Sequence, residues 1–179
     1  LRAARAHVVL LRNGPELLPL AARPGLRVAV VGPYADTLCR DWYSGTMPYR
    51  TTIVEGLRTA VEPAGGQVRS VAGLDRIRLR HGGRHVRVVS TAEPRLSCAD
   101  PDRPVEGTDP ATEFELLDWG GDVVTLRSVA TGRYVRVTGD GTLVADSSEP
   151  DGWVVLELFS LRDAGPGRVL HSLAVGRDV

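Results

Sequence analysis

Two histidines, His81 and His85, are the first residues whose spacing could support chemistry. Four residues apart on a helix, they would lie on one face and could hold a metal ion. Gly82 and Gly83 stand between them, and a glycine pair of this kind is typical of a hairpin turn. The other two histidines are isolated in the sequence. We therefore predict a hairpin here and no metal site.

The sequence contains no motif that is typical of a catalytic nucleophile or of a phosphate-binding loop. Ser44, in the stretch WYSGT, lacks the flanking glycines of a nucleophile elbow. The chain contains no GxGxxG or Walker sequence, the patterns that bind dinucleotides and phosphates through glycine-rich turns. Cys39 and Cys98 belong to no CxxC pair and are predicted to be free thiols. The sequence therefore predicts no cofactor.

The composition argues against several classes of partner. Lys plus Arg number 22 and Asp plus Glu number 22, so the formal net charge is zero. A neutral chain has no bulk electrostatic attraction for nucleic acid or for an anionic membrane. No apolar run reaches the roughly 18–20 residues that span a bilayer. The compartment stays unknown, and a start at Leu1 rather than Met leads us to expect a piece of a longer polypeptide.

A short apolar run, Val28 to Val31, positions the loop that is best placed to meet a ligand. Such a run is typical of a strand buried on both faces of a parallel sheet, and Gly32-Pro33 ends it. The loop that follows is rich in aromatic residues. Ligands of open α/β sheets bind outside the carboxyl ends of the strands, which is where this loop must lie.

A helix and a second strand are predicted after the loop. Thr52 to Glu55 matches a capping box, in which a hydroxyl and a carboxylate satisfy backbone amides at the start of a helix. Ile53, Leu57 and Val61 repeat at four-residue spacing and predict one buried helical face. Residues 67–72 predict the second strand. The order strand, loop, helix, strand is a βαβ unit of an α/β sandwich with a parallel sheet.

From about Asp75 the pattern changes to short alternating strands separated by glycine turns, which predicts an all-β region. Asp140-Gly141 between two such strands is a strong hairpin signal. Residues 93–113, rich in Pro, Asp and Glu, are predicted to form a long exposed loop. The predicted strands are 77–80, 86–89, 123–126, 134–137 and 143–145.

The all-β region repeats internally. LRHGGRHVRV (79–88) resembles LRSVATGRYVRV (126–137), and a third copy runs from Val169 to Val179. The sequence FELL at 114–117 also matches LELF at 156–159. A repeat period in the forties, with about four strands in each copy, fits a β-trefoil or a propeller blade. The pattern GRYVRV, DGTLVAD, then W and F resembles fascin-like and ricin-like β-trefoil repeats. We expect a β-trefoil over 75–179 whose third repeat is cut off.

Several ordered motifs in residues 1–73 resemble the start of the C-terminal α/β domain of glycoside hydrolase family 3, a family of β-glucosidases and β-xylosidases. The resemblance implies that 75–179 is an inserted domain. It rests on VVLLRNGPELLPL (8–20), RVAVVGPYAD (27–36), DWYSG (41–45), PYRTTIVEGLRTAV (48–61) and GGQVRSVAG (65–73).

The resemblance implies a retaining hydrolase that removes terminal β-linked glucose or xylose units from oligosaccharides through a covalent glycosyl-aspartate. Such chemistry needs two carboxyl groups across the scissile bond. The family carries the nucleophilic Asp on a preceding barrel domain and the acid/base Glu later in the second domain, and neither matching segment is present. We assign no catalytic residue, predict that this chain alone is inactive, and expect the missing barrel domain as its partner.

What the resemblance does carry over is the loop after the first strand, which faces the barrel domain and can supply an aromatic wall to a sugar subsite. Trp42 and Tyr43 stand where such a wall would be, and Asp41 is a possible acceptor for sugar hydroxyls. The C–H faces of sugars stack well on flat aromatic rings. The alternative is that Trp42 and Tyr43 only pack against the neighbouring domain.

Aromatic residues of the β-trefoil region offer a second sugar platform. Aromatic residues that recur in a repeat more often fill the core, so we predict a core position for Trp119, Tyr134, Trp153 and Phe159. Two rival functions stay open at this point. One is a stand-alone, non-catalytic carbohydrate- or protein-binding module, and the other is a structural spacer that binds nothing.

Overall fold

The computed structural model describes residues 5–14, 17–40, 43, 45–100 and 107–179. Its first group of elements is β1 (Arg27–Val31), α1 (Ile53–Val61), a 3-10 helix (Glu62–Ala64) and β2 (Gln67–Val71). β1 and β2 pair in parallel over their full length. The predicted strand, helix, strand order is therefore present, and Val54, Val61 and Val68 form the apolar cluster between these elements.

The capping box at the start of α1 is confirmed. The backbone N–H of Glu55 donates to the Thr52 hydroxyl at 3.1 Å, and the backbone N–H of Thr52 donates to the Glu55 carboxylate at 2.8 Å. The predicted buried face is wrong at one position, because Ile53 is exposed and Val54 is buried instead. Val54 and Val61 are seven residues apart, so they share one side of the helix, whereas Ile53 is rotated away from it by about 100°.

The prediction that the first strand is buried on both faces is also wrong. Val28 and Val30 pack against the cluster under α1, whereas Val31 is exposed. Side chains alternate between the two faces of a strand, and α1 covers one of those faces. Among the described residues β1 has one strand partner, β2, so its other face and edge stay open.

The second group, residues 75–179, is called the β-rich part. Its strands pair antiparallel, and most belong to one sheet in the order β10-β9-β8-β11-β12-β13. In the same sheet β7 pairs with both β3 and β8. A smaller sheet has the order β4-β5-β6. The strands are β3 (Asp75–Ile77), β4 (Arg80–His81), β5 (Arg84–Val88), β6 (Leu96–Cys98), β7 (Phe114–Gly120), β8 (Val123–Ser128), β9 (Tyr134–Val137), β10 (Leu143–Ser147), β11 (Phe159–Ala164), β12 (Gly167–Ser172) and β13 (Arg177–Asp178).

The internal repeat is visible as equivalent hairpins around one core. Phe114 opens β7 opposite Ser128 of β8, and Phe159 opens β11 opposite Ser172 of β12. All four residues are fully buried. The structure therefore aligns Phe114 with Phe159, three residues away from the alignment that the FELL and LELF motifs predict, because the aromatic side chain at the start of each hairpin is what fills the core.

The predicted long exposed loop over 93–113 is wrong in part. Residues 96–98 form β6, and a 3-10 helix occupies Pro110–Thr112. Leu96 joins the main apolar cluster, and Thr112 and Glu113 are buried as well. Residues 101–106 lie outside the described residues. Nowhere in the described ranges does a helix have the length and apolar character needed to cross a membrane.

Candidate ligand-facing loop

Residues 32–50, called the aromatic loop, leave the carboxyl end of β1 and return to the start of α1. Hydrogen bonds fix the first half. The Gly32 N–H donates to the Val71 carbonyl at 3.0 Å, and the Val54 N–H donates to the Ala35 carbonyl at 3.3 Å. The Thr52 hydroxyl, besides capping the helix, donates to the Asp36 carboxylate at 2.6 Å. The start of the loop is thus tied to both β2 and α1.

An ion-pair network fixes the second half of the aromatic loop to the β-rich part. Arg40 Nε donates to Glu149 at 2.8 Å, and Arg40 also reaches Asp151 at 2.5 Å. Arg50 contacts both carboxylate oxygens of Glu149, at 3.0 and 2.8 Å. The Glu149 side chain is only 13% exposed, so two guanidinium groups compensate a largely buried carboxylate. We call Arg40, Arg50, Glu149 and Asp151 the clamp.

An aromatic contact joins the same two parts of the molecule. The rings of Tyr34 and Trp119 lie 5.8 Å apart at 58° to each other, a tilted arrangement that suits aromatic quadrupoles. The Trp119 indole N–H donates to the Thr125 hydroxyl at 3.1 Å. Trp119 is therefore partly exposed beside the aromatic loop, and its predicted core position is wrong. Trp119 is an odd number of positions from the buried Phe114, so the alternation of β7 places the two side chains on opposite faces of the strand.

The other aromatic residues of the β-rich part include both buried and exposed side chains. Tyr134 and Phe159 are buried, so their predicted core positions are confirmed. Trp153 is 79% exposed, so its predicted core position is wrong. It follows β10 in a connection on the surface, away from the ladder whose alternation places side chains inside.

A cavity of about 290 Å³ lies between the aromatic loop and the β-rich part. Its carboxylates already have partners: Asp36 accepts from Thr52, Glu55 accepts from the backbone of the capping box, and Glu149 belongs to the clamp. A glycosidase needs two carboxyl groups across the scissile bond, whereas the hydrogen bonds of these three carboxylates are made to the chain itself. The cavity is lined by Asp36, Thr37, Leu38, Cys39, Arg50, Thr52, Glu55, Arg127, Gly132, Tyr134, Ser148, Glu149 and Pro150.

Burial favours the protonated forms of two further groups of this cavity. Partial burial raises the pKa of the Cys39 thiol, the Glu149 carboxylate raises it further, and Arg50 opposes the shift. Burial likewise raises the pKa of Tyr134, with Arg127 acting in the opposite direction. The thiolate is the reactive form of cysteine, so a raised pKa disfavours Cys39 as a nucleophile. Cys39 and Cys98 are both free thiols, as predicted.

Of the three predicted sugar-binding residues, the structure describes Tyr43. Asp41 and Trp42 lie outside the described residues, as does Ser44. Tyr43 is described and lies at the surface with 92% of its side chain exposed. The aromatic wall formed by Trp42 and Tyr43, with Asp41 as hydroxyl acceptor, therefore stays a prediction.

The histidines take positions that do not form a metal site. His81 and His85 lie on the β4–β5 hairpin, paired with Arg84 and Arg80, so the predicted hairpin is confirmed. Within the described ranges, no three His, Cys, Asp or Glu side chains gather closely enough to hold a metal ion. His171 is not isolated as the sequence suggested. The register of β12 and β13 sets it opposite Asp178, and Nδ1 lies 2.7 Å from that carboxylate.

The clamp is what sequence reasoning missed. Arg40 and Arg50 are about a hundred residues from Glu149, so no local motif links them. The only sequence signal is that two arginines lie in the aromatic loop and two acidic residues follow β10 in the stretch SSEPD. Opposite charges in two distant segments form an ion pair only when the fold brings those segments together, so the sequence alone does not predict the contact.

Comparison with known proteins gives one family. Residues 8–156 match the family model described as "Glycosyl hydrolase family 3 C-terminal domain". This match runs through both groups of elements and extends well beyond residue 73. A search of curated proteins found no match. Among solved structures, the chain is similar to a designed 3-fold symmetric protein, ThreeFoil, with 18% identity and a TM-score of 0.46 over 59% of this chain and 75% of that one.

Proposed function

From the premise that this chain belongs to the glycosyl hydrolase family 3 C-terminal domain family, we propose that it is part of a retaining glycoside hydrolase. The enzyme acts on terminal β-linked glucose or xylose units of oligosaccharides. This segment contributes a substrate-facing loop and an accessory β-trefoil. The catalytic carboxylates belong to other segments of the parent enzyme, with the nucleophile on a barrel domain.

The observation that carries this proposal is the family match over 8–156. The geometry supports it in two ways. The aromatic loop leaves the carboxyl end of a parallel strand, where α/β sheets bind ligands. The clamp and the Tyr34–Trp119 contact then tie that loop to the β-rich part, and a binding site benefits from such support by neighbouring elements.

The fold assignments belong to the same proposal. We take residues 1–73 as the opening of an α/β sandwich, supported by the parallel β1–β2 pair under α1. We take residues 75–179 as an inserted β-trefoil with a fascin-like or ricin-like repeat. The equivalent hairpins that start at Phe114 and Phe159, and their shared core, support that interpretation.

Two measurements on the purified chain test the proposal. With aryl β-glucosides and β-xylosides we expect no turnover, because both catalytic carboxylates are supplied elsewhere. Measured turnover would show that this segment carries its own acid and base and would overturn the assignment of roles.

The second measurement is a titration with gluco- and xylo-oligosaccharides followed by tryptophan fluorescence. We expect saturable quenching that disappears in Trp42→Ala, because stacking of a sugar on that indole is the contact being tested. The matched control is Trp153→Phe, which removes an exposed indole far along the chain and should leave the quenching in place. Quenching that survives in Trp42→Ala would refute the substrate-facing role of the loop.

One observation favours a second candidate, a non-catalytic carbohydrate-binding module. Trp153 offers an exposed indole on the β-rich part, and exposed indoles are common sugar platforms. The same titration separates the two candidates. Quenching lost in Trp153→Ala and kept in Trp42→Ala would assign sugar binding to the β-rich part alone.

A further inference from the structure

The cavity between the aromatic loop and the β-rich part contains a buried hydroxyl that the surrounding chain leaves without a partner. Tyr134 lines this cavity and is only 8% exposed. Its hydroxyl makes no hydrogen bond to any residue that the structure describes. Buried tyrosine hydroxyls usually have a partner, because a buried polar group without one costs free energy. The partner of this hydroxyl is therefore expected to be a molecule inside the cavity.

The register of the sheet directs Tyr134 toward this cavity. Tyr134 opens β9 directly opposite Arg127 of β8, and residues that are opposite each other on neighbouring strands share one face of the sheet. Arg127 also lines the cavity. Cys39 acts electrostatically on Tyr134 and reaches the same space from the aromatic loop. The phenol of Tyr134 thus lies where the two parts of the molecule enclose the cavity.

Three more uncharged polar groups face the same space. Thr37 and Cys39 belong to the aromatic loop, and Ser148 follows β10 in the β-rich part. Within the described ranges their side chains make no hydrogen bond. A hydroxyl can both donate and accept a hydrogen bond, and a thiol is a weak donor. With Tyr134, the cavity therefore offers four uncharged polar groups, two from each part of the molecule.

The charged side chains of the cavity are already matched. Its three carboxylates accept hydrogen bonds from the chain itself. Arg50 contacts Glu149, and Arg127 donates to Glu115 at 2.9 and 2.6 Å. A charged ligand would break one of these pairs or remain without a counter-charge, and both are costly in a partly buried site. The cavity therefore favours a neutral ligand.

The size and the apolar lining of the cavity suit a single sugar ring. Its volume of about 290 Å³ lies just below the range of about 300–1,000 Å³ that is usual for drug-sized ligands. Leu38 and Pro150 add apolar surface beside the ring of Tyr134. A pyranose carries hydroxyls that donate and accept around its rim and C–H groups on its faces, so it matches both kinds of lining.

We propose that this cavity binds one neutral pyranose, held by the hydroxyls of Tyr134, Ser148 and Thr37 and joining the aromatic loop to the β-rich part. Glucose and xylose are the sugars to test, and this choice of sugar rests on the proposed function, whereas the argument for the cavity does not. The site is separate from the predicted aromatic wall, since the described member of that wall, Tyr43, is not among the residues that line the cavity.

Cys39 provides a local readout, because a sugar in the cavity covers its thiol. The experiment measures the rate of Cys39 alkylation by iodoacetamide in Cys98→Ser chain while glucose or xylose is added. We expect the rate to fall to a plateau with at least one of the two sugars, whereas sorbitol, an open-chain polyol, should give no saturable protection. In the matched Cys39→Ser chain, alkylation of Cys98 should not respond to the sugar. Chain that is folded by circular dichroism and shows no saturable protection would overturn the proposal.

Tyr134→Phe, made in the same Cys98→Ser background, removes the hydroxyl and keeps the ring. The sugar concentration for half protection should rise about fivefold, as for the loss of one uncharged hydrogen bond. Tyr43→Phe, which removes a tyrosine hydroxyl outside the cavity, should leave that concentration unchanged. Equal half-protection in the Tyr134→Phe and parent chains would mean that the sugar covers Cys39 from another site, and the proposal would be wrong.

Trp42→Ala separates this inference from the proposed function. Protection of Cys39 by a monosaccharide should survive in that variant, because the cavity site does not use the aromatic wall. Protection that Trp42→Ala abolishes and Tyr134→Phe leaves intact would place the sugar on the aromatic wall, which overturns the cavity site and supports the substrate-facing role of the loop. Protection that depends on Tyr134, in a chain whose tryptophan fluorescence does not respond to oligosaccharides, would support the cavity site and count against that role.

Discussion

Glu149→Ala removes the centre of the clamp, and we expect it to destabilise the chain and to release the aromatic loop. The Glu149 carboxylate accepts hydrogen bonds from Arg40 and Arg50 at distances between 2.8 and 3.0 Å. With the carboxylate gone, both guanidinium groups lose their shared partner, and the ion pair of Arg40 with Asp151 remains from the clamp.

The magnitude follows from burial. Ion pairs between exposed side chains contribute about 0.2–1 kcal/mol each, and hydrogen bonds to charged groups contribute about 1.5–3 kcal/mol. The two arginines are partly exposed while Glu149 is largely buried, so each pair lies between these limits. The arginines can turn to water in the variant, which rules out the larger penalty of a charge left buried. We expect a loss of about 1–3 kcal/mol in the free energy of unfolding.

The assay is urea denaturation followed by tryptophan fluorescence, with a double-mutant cycle of Glu149→Ala and Arg50→Ala. The coupling energy should be about 1 kcal/mol. The matched control is the ion pair of Arg168 and Asp163, which is 3.4 Å long with the Asp163 side chain 89% exposed. Its cycle should give about 0.2–0.5 kcal/mol. If the Glu149 cycle gives no more than this control, burial does not strengthen the clamp and the reasoning is refuted.

Two further predictions concern the base of the same loop. Thr52→Ala should lower the free energy of unfolding by about 1 kcal/mol, because the Glu55 N–H loses its acceptor, whereas Thr52→Ser keeps a hydroxyl and should cost less than about 0.5 kcal/mol in urea denaturation followed by circular dichroism. In a Cys98→Ser background, the pH–rate profile of Cys39 alkylation by iodoacetamide should have its midpoint above that of free cysteine, because its pKa is raised, and Glu149→Gln should move the midpoint down by removing a negative neighbour. An unmoved midpoint would show that Glu149 has no part in this shift.

The sequence by itself determined the local elements and the family. The capping box at Thr52, the strand at 27–31 and the hairpin at Gly82-Gly83 all form as predicted, because each depends on residues within a few positions of one another. The motifs over residues 1–73 point to the same family as the match over 8–156. The change from helical to alternating pattern near Asp75 marks the start of the β-rich part.

Only the tertiary structure decided which faces are covered and which distant charges meet. Ile53 is exposed and Val54 buried because the position of α1 on β1 and β2 sets the buried face, and a four-residue spacing alone fits more than one face. Trp119 lies beside Tyr34 rather than in the core because it is on the face of β7 opposite Phe114, and a distant segment supplies the ring that it packs against. The clamp depends on a fold that brings Glu149 to the aromatic loop from about a hundred residues away, and no local pattern encodes such a contact.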